Sequence, residues 1–244
     1  MEKVAGICYI FYMNGNSLFR KLNIRLLFAG LLFTALVFSA AAQSRFAWFA
    51  EGSVLFFPED NGRGSDPMPI LPSLGAGFGL QPFNNESLRL EITLDMYFTV
   101  YDFNDTLDRA VPASWENRSA FVWGSILGVQ GSYVFNIRPN IALRVFGGPA
   151  ADLRIILLAP DLNESIDPMD TIRQKTDAVS SYFWSKGRWF LPVAGTGMDF
   201  DLNEKFRLGF DLRVWMPAYK LWSGEDLPLI EGWRFGVGAR ITFL

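Results

Sequence analysis

The feature of this sequence that most constrains its fold is a strict two-residue alternation from Leu88 to Tyr101. The odd positions are polar or Tyr, and the even positions are all apolar, namely Leu88, Leu90, Ile92, Leu94, Met96, Phe98 and Val100. Successive side chains of a strand point to opposite faces, so this period predicts a β-strand. The segment is longer than the about 5–6 residues of most soluble strands and exceeds the about 9–11 that cross a membrane.

Seven other segments carry the same alternation with varying regularity. They are residues 46–57, 72–81, 122–137, 141–156, 188–202, 206–216 and 233–243, and 46–57 is the least regular. Within 141–156, the run Gly147-Gly148-Pro149 predicts a β-bulge. The sequence therefore predicts about eight strands.

The connections between these segments alternate between short and long. The short ones are Pro82–Ser87, Arg138–Asn140 and Asn203–Lys205, and the long ones are roughly 58–70, 102–119, 157–183 and 217–231. This alternation is typical of an all-β transmembrane antiparallel up-and-down β-barrel with short periplasmic turns and long external loops. Lipid cannot satisfy an open strand edge, so the sheet is expected to close. A soluble periplasmic barrel or sandwich is the weaker alternative.

The first 42 residues are typical of a secretory signal peptide. Arg20, Lys21 and Arg25 precede an apolar run from Leu26 to Ala40, and small residues continue to Ala42, after which we place cleavage. A permanent membrane anchor is the alternative, and a start at Met13 would give a leader of ordinary length. The predicted domains are thus a signal peptide, 1–42, and a barrel, 43–244, located in the outer membrane of a diderm bacterium.

The residue types that are absent exclude much chemistry. The chain has no His, and its one Cys, Cys8, lies in the leader, so imidazole bases, thiol nucleophiles and His or Cys metal sites are excluded from the mature chain. Asp199 and Asp201 share a strand face, but no nucleophile accompanies them. We therefore expect no enzyme, no metal and no cofactor. Removing the leader lowers the net charge from −3 to −6, which disfavours nucleic acid as a partner.

Strand parity points one set of charged side chains into the lumen. The set has seven Arg and six carboxylates: Arg89, Glu91, Asp95, Arg144, Asp152, Arg154, Asp199, Asp201, Arg207, Asp211, Arg213, Arg234 and Arg240. Unpaired charges in a narrow barrel are costly, so a network of Arg–carboxylate pairs is expected. The network either fills and stiffens the barrel or lines a polar conduit. The inward glycines, such as Gly75 and Gly197, leave space for either.

Aromatic residues cluster at the strand ends that meet the long loops. Trp123, Trp189 and Trp233 are predicted to form an aromatic girdle at the membrane surface, whereas parity points Trp215 into the lumen. The acidic segment 160–182 is predicted to be a solvated external loop rather than a cation site, because it lacks the spacing of a calcium loop.

Several strand segments resemble those of small eight-stranded outer-membrane barrels of the OmpW, OmpX and opacity-protein type. They are Arg144–Pro149, Val193–Phe200 and Phe206–Val214, and the resemblance covers about residues 46–244. The ending Arg240–Leu244 is similar to the barrel-assembly signal, with Phe243 as its aromatic residue one position before the usual end. The resemblance implies outer-membrane lipid and the assembly machinery as partners.

The resemblance leaves the function open between two classes. The OmpW type is associated with small hydrophobic molecules, and the leading interpretation is limited passage of small solutes, hydrophobic ones among them, across the outer membrane. The OmpX and opacity types imply a closed barrel whose long loops act in adhesion to a host surface or in binding a partner protein. A purely structural barrel that stiffens the envelope is a third hypothesis. An open lumen would favour the first, and an occluded lumen with ordered loops would favour the second.

Overall fold

The computed structural model describes residues 46–59, 70–81, 87–113, 120–158, 169–224 and 229–244. The predicted leader, its cleavage position and the start at Met13 lie outside the described residues. The described chain forms ten strands: β1 (Phe46–Phe56), β2 (Ile70–Leu80), β3 (Leu88–Asn104), β4 (Arg109–Pro112), β5 (Ala120–Arg138), β6 (Ile141–Gly148), β7 (Ala150–Leu158), β8 (Val193–Asp201), β9 (Phe206–Trp215) and β10 (Arg234–Phe243).

Eight of these strands close into a ring in which every neighbouring pair is antiparallel. The order around the ring is β1, β2, β3, β5, β6, β8, β9 and β10, and β10 pairs back with β1. The closing pair runs from Trp48 opposite Phe243 to Phe56 opposite Phe235. Closure removes both sheet edges. The prediction of an eight-stranded antiparallel barrel is confirmed.

Strands β6 and β7 are two halves of one long strand that is interrupted at Pro149. Both pair with β5 in a single register, from Gly131 opposite Gly147 to Gly128 opposite Ala150. The Val129 N–H also donates to the Pro149 carbonyl at 3.0 Å. The predicted bulge at Gly147–Pro149 is therefore wrong. The register shifts instead between Asn136 and Arg138, beside the short turn.

The long connections are more ordered than the sequence predicted. The segment 160–182 was predicted to be a solvated loop, but its described part lies in helix α1 (Met169–Trp184), which a short 3₁₀ helix (Ser185–Gly187) follows. The cause is a buried helical face on which Thr176, Val179 and Phe183 recur at helical spacing. The acidic residues of the proposed cation site that precede Met169 lie outside the described residues.

Other elements also stand at the long-loop end. Strand β4 extends this end by pairing with the last four residues of β3, and helix α2 (Lys220–Ser223) lies between β9 and β10. The predicted strand 188–202 begins only at Val193, because residues 188–192 form a turn and a single bridge from Phe190 to Ala151.

The ring carries charged side chains on its inner face and apolar side chains on its outer face, which is the reverse of a soluble barrel. In β3, Asp95 is 2% exposed and its neighbour Leu94 is 36% exposed. In β10, Arg240 is buried and Ile241 is exposed, and this pattern alternates along the whole strand. An apolar exterior around a charged interior is the arrangement of a transmembrane β-barrel. In the part of the chain that the structure describes, no helix is long and apolar enough to cross a membrane.

A charge introduced on the outer wall tests this sorting. We expect Leu94→Arg to lower the free energy of unfolding in lipid vesicles by about 2–4 kcal/mol, because Leu94 lies near the middle of the lipid-facing wall. The matched control is Leu202→Arg, since Leu202 is 61% exposed in the short turn between β8 and β9. It should cost less than about 1 kcal/mol. Equal losses in the two variants, measured by urea unfolding, would contradict a lipid-facing Leu94.

Candidate functional site

The centre of the lumen is crossed by the side chain of Arg213. Its guanidinium lies 3.0 Å from Asp95 and 3.1 Å from Asp211, and it donates a close hydrogen bond to Glu51. Arg213 is on β9 and Asp95 is on β3, four strands away around a ring of eight. Strands four apart face each other, so this ion pair spans the full diameter of the barrel.

A second group of charges lies between this centre and the short-turn end. Arg144 pairs with Glu91 at 3.1 Å and closely with Asp211, and its Nε is 3.6 Å from Asp199. Arg240 reaches the same carboxylates, with Glu91 at 3.0 Å and Asp199 at 3.6 Å. Each carboxylate is thus shared by at least two guanidinium groups, and the network connects β3, β6, β8, β9 and β10.

A third group lies towards the long-loop end. Asp152 accepts hydrogen bonds from the Tyr97 hydroxyl at 2.9 Å, from Arg154 at 2.6 Å and closely from Arg234. Arg154 also lies 3.9 Å from Glu59, which accepts a hydrogen bond from the Tyr101 hydroxyl. The charged groups therefore extend along the lumen from one end to the other.

Aromatic rings fill the space beside the guanidinium groups. The guanidinium of Arg240 lies over the ring of Phe49 at 4.8 Å, and that of Arg234 lies over Phe57 at 4.3 Å. A methyl group at Gly77 would collide with Phe49, and one at Gly236 would collide with Trp215. The space that the inward glycines leave is therefore occupied by rings and carboxylates from neighbouring strands.

An apolar cluster closes the lumen towards the long-loop end. Its buried members are Leu55, Phe57, Leu71, Tyr97, Ile126, Ala150, Leu191, Val193 and Trp215. Above it, Val179 and Phe183 of α1 pack on Tyr101, Ala110 and Val122. Phe183 also contacts the guanidinium of Arg154 at 4.1 Å. We call α1, α2, β4 and the extended end of β3 the cap.

Glu59 connects the cap to the charges below it and lies beyond the end of β1. Burial raises the pKa of Glu59 above its usual 4.5, and the opposing effects of Arg154 and the Tyr101 hydroxyl do not cancel the increase. Its ionised form is therefore less favourable in the folded protein than in the unfolded chain.

The structure places all thirteen predicted lumen charges on the inward face. Eleven of them lie in the three groups or beside them, and the other two, Arg207 and Asp201, pair with each other at the short-turn rim. Arg89 pairs with Asp199 at 3.3 Å. The sequence pattern missed Glu51, which makes the number of inward carboxylates equal to the number of arginines. β1 also points Phe49 and Leu55 inward, so its polar face is not visible in the sequence.

Between the residues that the structure describes, the short-turn end of the lumen forms a vestibule of about 380 Å³. Its lining is Phe46, Ala47, Phe49, Gly79, Gln81, Arg89, Glu91, Glu204, Arg207, Arg240, Thr242 and Leu244. The corresponding cavity beneath the cap, which Glu59, Arg154 and Tyr219 help to line, measures about 20 Å³ and accommodates little more than a water molecule.

The three predicted girdle tryptophans lie at the long-loop end. Trp123 stacks on Phe98 of the outer wall at 6.3 Å, Trp233 stacks on Phe235 at 6.4 Å, and Trp189 is 41% exposed. Aromatic residues also gather at the other end, where Phe243 packs on Phe206 at 5.5 Å. Phe46, Trp48 and Phe78 form a second cluster there, which the sequence analysis did not identify.

The arrangement of the acidic residues in the described ranges bears on metal binding and on the pair Asp199 and Asp201. Within the ranges that the structure describes, no three His, Cys, Asp or Glu side chains are arranged to hold a metal ion. Asp199 faces Arg89, Arg144 and Arg240, and Asp201 faces Arg207, so the two carboxylates have different partners.

Comparison with known proteins gives structural likenesses only. No protein-family model and no curated protein matches the sequence. The chain is similar to Neisserial surface protein A, with a TM-score of 0.47 and 10% identity over 81% of this chain and 96% of that one. The outer membrane protein OprG from Pseudomonas aeruginosa gives a TM-score of 0.44 and 10% identity over 81% and 92%.

Another similar structure is Ail, the attachment invasion locus protein of Yersinia pestis, in complex with the heparin analogue sucrose octasulfate. Its TM-score is 0.44, with 9% identity over 82% of this chain and 97% of that one. Identities this low establish no function.

Replacing the central arginine tests the dependence of the barrel on the cross-lumen pairs. Arg213→Met leaves Glu51, Asp95 and Asp211 close together without their shared cation, so we expect the free energy of unfolding to fall by about 3–5 kcal/mol. Arg138→Met removes the same charge from an exposed site at a short turn and should have little effect. Adding Asp95→Asn to Arg213→Met should restore part of the loss. Similar stabilities for the two arginine variants would contradict this role.

The burial of Glu59 predicts a pH-dependent difference between the wild type and Glu59→Gln. Because the folded-state pKa of Glu59 is raised, the folded protein retains the proton above pH 4.5, where the unfolded chain releases it. The wild type therefore loses stability relative to Glu59→Gln as pH rises from 4.5 through the folded-state pKa. The measurement is the unfolding free energy of both proteins across this range. A difference that does not change with pH would contradict the prediction.

Proposed function

We propose that this chain is an outer-membrane β-barrel of the bacterial envelope that is closed to solute diffusion and acts through the surface of its cap. The observation that carries this proposal is the occupation of the lumen from wall to wall by paired charges. Arg144, Arg213, Arg234 and Arg240 are each at most 4% exposed, although all four lie where a conduit would run. An eight-stranded barrel is just wide enough for its own side chains.

The exterior of the ring supports a membrane location. Large apolar residues such as Leu74, Leu212 and Val237 are more than half exposed, and in water such a surface would associate. A closed barrel with an apolar band is the form in which strands cross an outer membrane. The proposed signal peptide supplies the export route. We assign the short-turn end to the periplasm and the cap to the outside, as in other barrels of this type.

The cap offers a surface for contact with a partner. Leu221 of α2 is 87% exposed and Leu229 is 90% exposed, and Trp222 beside them is 54% exposed. The patch is held in place because Trp222 donates a hydrogen bond to the Lys186 carbonyl and Lys220 donates one to the Leu229 carbonyl. Ordered apolar side chains outside the membrane favour adhesion to a host surface or binding of a partner protein. Kinship with the OmpX and opacity type fits this proposal better than the OmpW type.

Limited passage of small solutes is the second candidate. The vestibule supports it, because solvent space reaches from the short-turn end as far as Glu91 and Arg240. A hollow on the outer wall beside Leu212 and Val237 gives a sideways exit to lipid some support. A solute would still have to displace the Arg213 pairs, so this candidate requires a rearranged lumen.

The remaining expectations belong to the same proposal. We expect no catalysis, because the inward carboxylates are paired with arginines. We also expect Phe243, which is 48% exposed at the end of β10, to serve in recognition by the assembly machinery. Outer-membrane lipid is the partner of the outer wall.

Solute flux into liposomes tests whether the barrel is closed. We expect residues 43–244, folded in liposomes, to admit charged, neutral and hydrophobic small solutes no faster than protein-free liposomes, because the Arg213 and Arg144 pairs block the lumen. The double variant Arg144→Ala/Arg213→Ala removes these pairs but keeps the apolar cluster around Phe57 and Trp215, so it should also remain closed to small ions. Folding of each protein is verified by its heat-modifiable mobility in gels. Solute entry through the folded wild type would overturn the closed barrel and favour passage.

A further inference from the structure

We propose that the vestibule at the short-turn end is a binding site for a small organic anion, a carboxylate or phosphate carried on an apolar body. The site lies at the opposite end from the cap and does not depend on the proposed function. Its volume, about 380 Å³, falls within the about 300–1,000 Å³ of ligand pockets. One wall of the vestibule carries three arginines, with Glu91 and Glu204 also in the lining, and the other wall is apolar.

The cationic wall consists of Arg89, Arg207 and Arg240. Arg89 and Arg240 share the carboxylate of Asp199 with Arg144, and Arg240 also lies 3.0 Å from Glu91 and 3.9 Å from Asp211. Such sharing leaves some N–H groups of these arginines able to bind a ligand, because a guanidinium carries five N–H donors. Arg207 stands at the rim with its side chain 15% exposed, where a ligand can reach it.

Three polar atoms on this wall are buried without a hydrogen-bond partner among the described residues. Arg240 is 3% exposed, yet its Nε makes no hydrogen bond within the described residues. The Nε of Arg89 and the hydroxyl of Thr242 are likewise buried without a partner there. Buried donors without partners are costly, and all three residues line the vestibule. An oxyanion in the vestibule would satisfy the two guanidinium groups once the Arg89 and Arg240 side chains turn towards it, because guanidinium groups bind carboxylates and phosphates through paired hydrogen bonds.

The apolar wall consists of Phe46, Ala47, Phe49 and Leu244. The ring of Phe49 lies in contact with Arg240, so the two walls meet at this point. An inorganic anion would leave this wall in water, and a neutral apolar molecule would leave the donors unsatisfied. The combination selects a molecule with one anionic group and an apolar body.

Ligand-observed fluorine NMR on the mature protein in nanodiscs tests the site. The probes are fluorobenzoate and fluorophenyl phosphate, with fluorobenzyl alcohol as their neutral analogue and inorganic phosphate as a competitor. We expect one or both anions to bind at least about ten-fold more tightly than the alcohol, since a charge-assisted hydrogen bond is worth that factor or more. The tighter of the two anions identifies the headgroup. Inorganic phosphate should compete weakly.

Matched variants locate the binding. Arg207→Gln and Arg89→Gln should each weaken anion binding about ten-fold, because each removes a guanidinium from the cationic wall. Lys205→Gln removes the same charge from an exposed residue of the adjacent turn that does not line the vestibule, and it should leave binding unchanged. Ala47→Phe fills the space without changing charge and should abolish binding.

Three outcomes would overturn the proposal. The first is equal binding of the alcohol and the anions, as expected for partition into lipid. The second is an unchanged affinity in Arg207→Gln and Arg89→Gln. The third is the absence of binding by any probe to folded protein. Because solute flux measures the closed lumen separately, a failure of this site leaves the proposed function standing, and the reverse also holds.

Discussion

The ion pair between Arg213 and Asp95 is the interaction on which the rest of the barrel depends. It joins opposite walls, so the reach of one arginine matches the width of the lumen at its centre. In an interior of low dielectric an unpaired charge is strongly unfavourable, and every inward Arg must therefore find a carboxylate within reach. Glu51 and Asp211 complete the surroundings of this guanidinium. In the two other groups of charges, on either side of this centre, each arginine is likewise paired with a carboxylate.

The charged side chains in the lumen are matched by apolar side chains on the outer surface. A soluble protein of this size would bury its Leu, Phe and Val residues and expose its Arg and Asp residues, but here the lipid takes up the apolar side chains. The polar side chains then have only one another as partners. Since lipid offers no hydrogen bonds, the ring must also close, which the pairing of β10 with β1 achieves. The paired charges in the lumen and the closure of the ring thus have the same cause, which is that lipid offers no hydrogen-bonding partners.

The sequence predicts most of this architecture because strand periodicity is local. The alternation from Leu88 to Tyr101 reappears as the buried and exposed faces of β3, and loop lengths predict which end carries the cap. Prediction fails where tertiary packing decides. Helix α1 is stabilised because Tyr101 and Ala110 cover the face that carries Val179 and Phe183. The sequence around Val179 and Phe183 does not show this contact.

The sequence likewise predicts one part of the lumen site and not the other. Parity identifies which arginines point inward, but the choice of partners depends on which strands face each other, and this emerges only after closure. Glu51 was missed because β1 points Phe49 and Leu55 inward beside it, which hides the polar face. The bulge predicted at Gly147–Pro149 failed for a different reason, since Pro149 leaves the register with β5 intact.

The fit of inward glycines against rings on adjacent strands has a consequence for how this chain can diverge. Gly124 lies against Tyr97 and Gly236 against Trp215, and the atoms nearest to each glycine are those of the ring. Each pair shares one volume, so a larger residue at the glycine is tolerated only when the ring becomes smaller at the same time. Homologous barrels should therefore exchange large and small residues between neighbouring strands in pairs. Covariation between these positions would record the pairing of neighbouring strands even where the individual residues are not conserved.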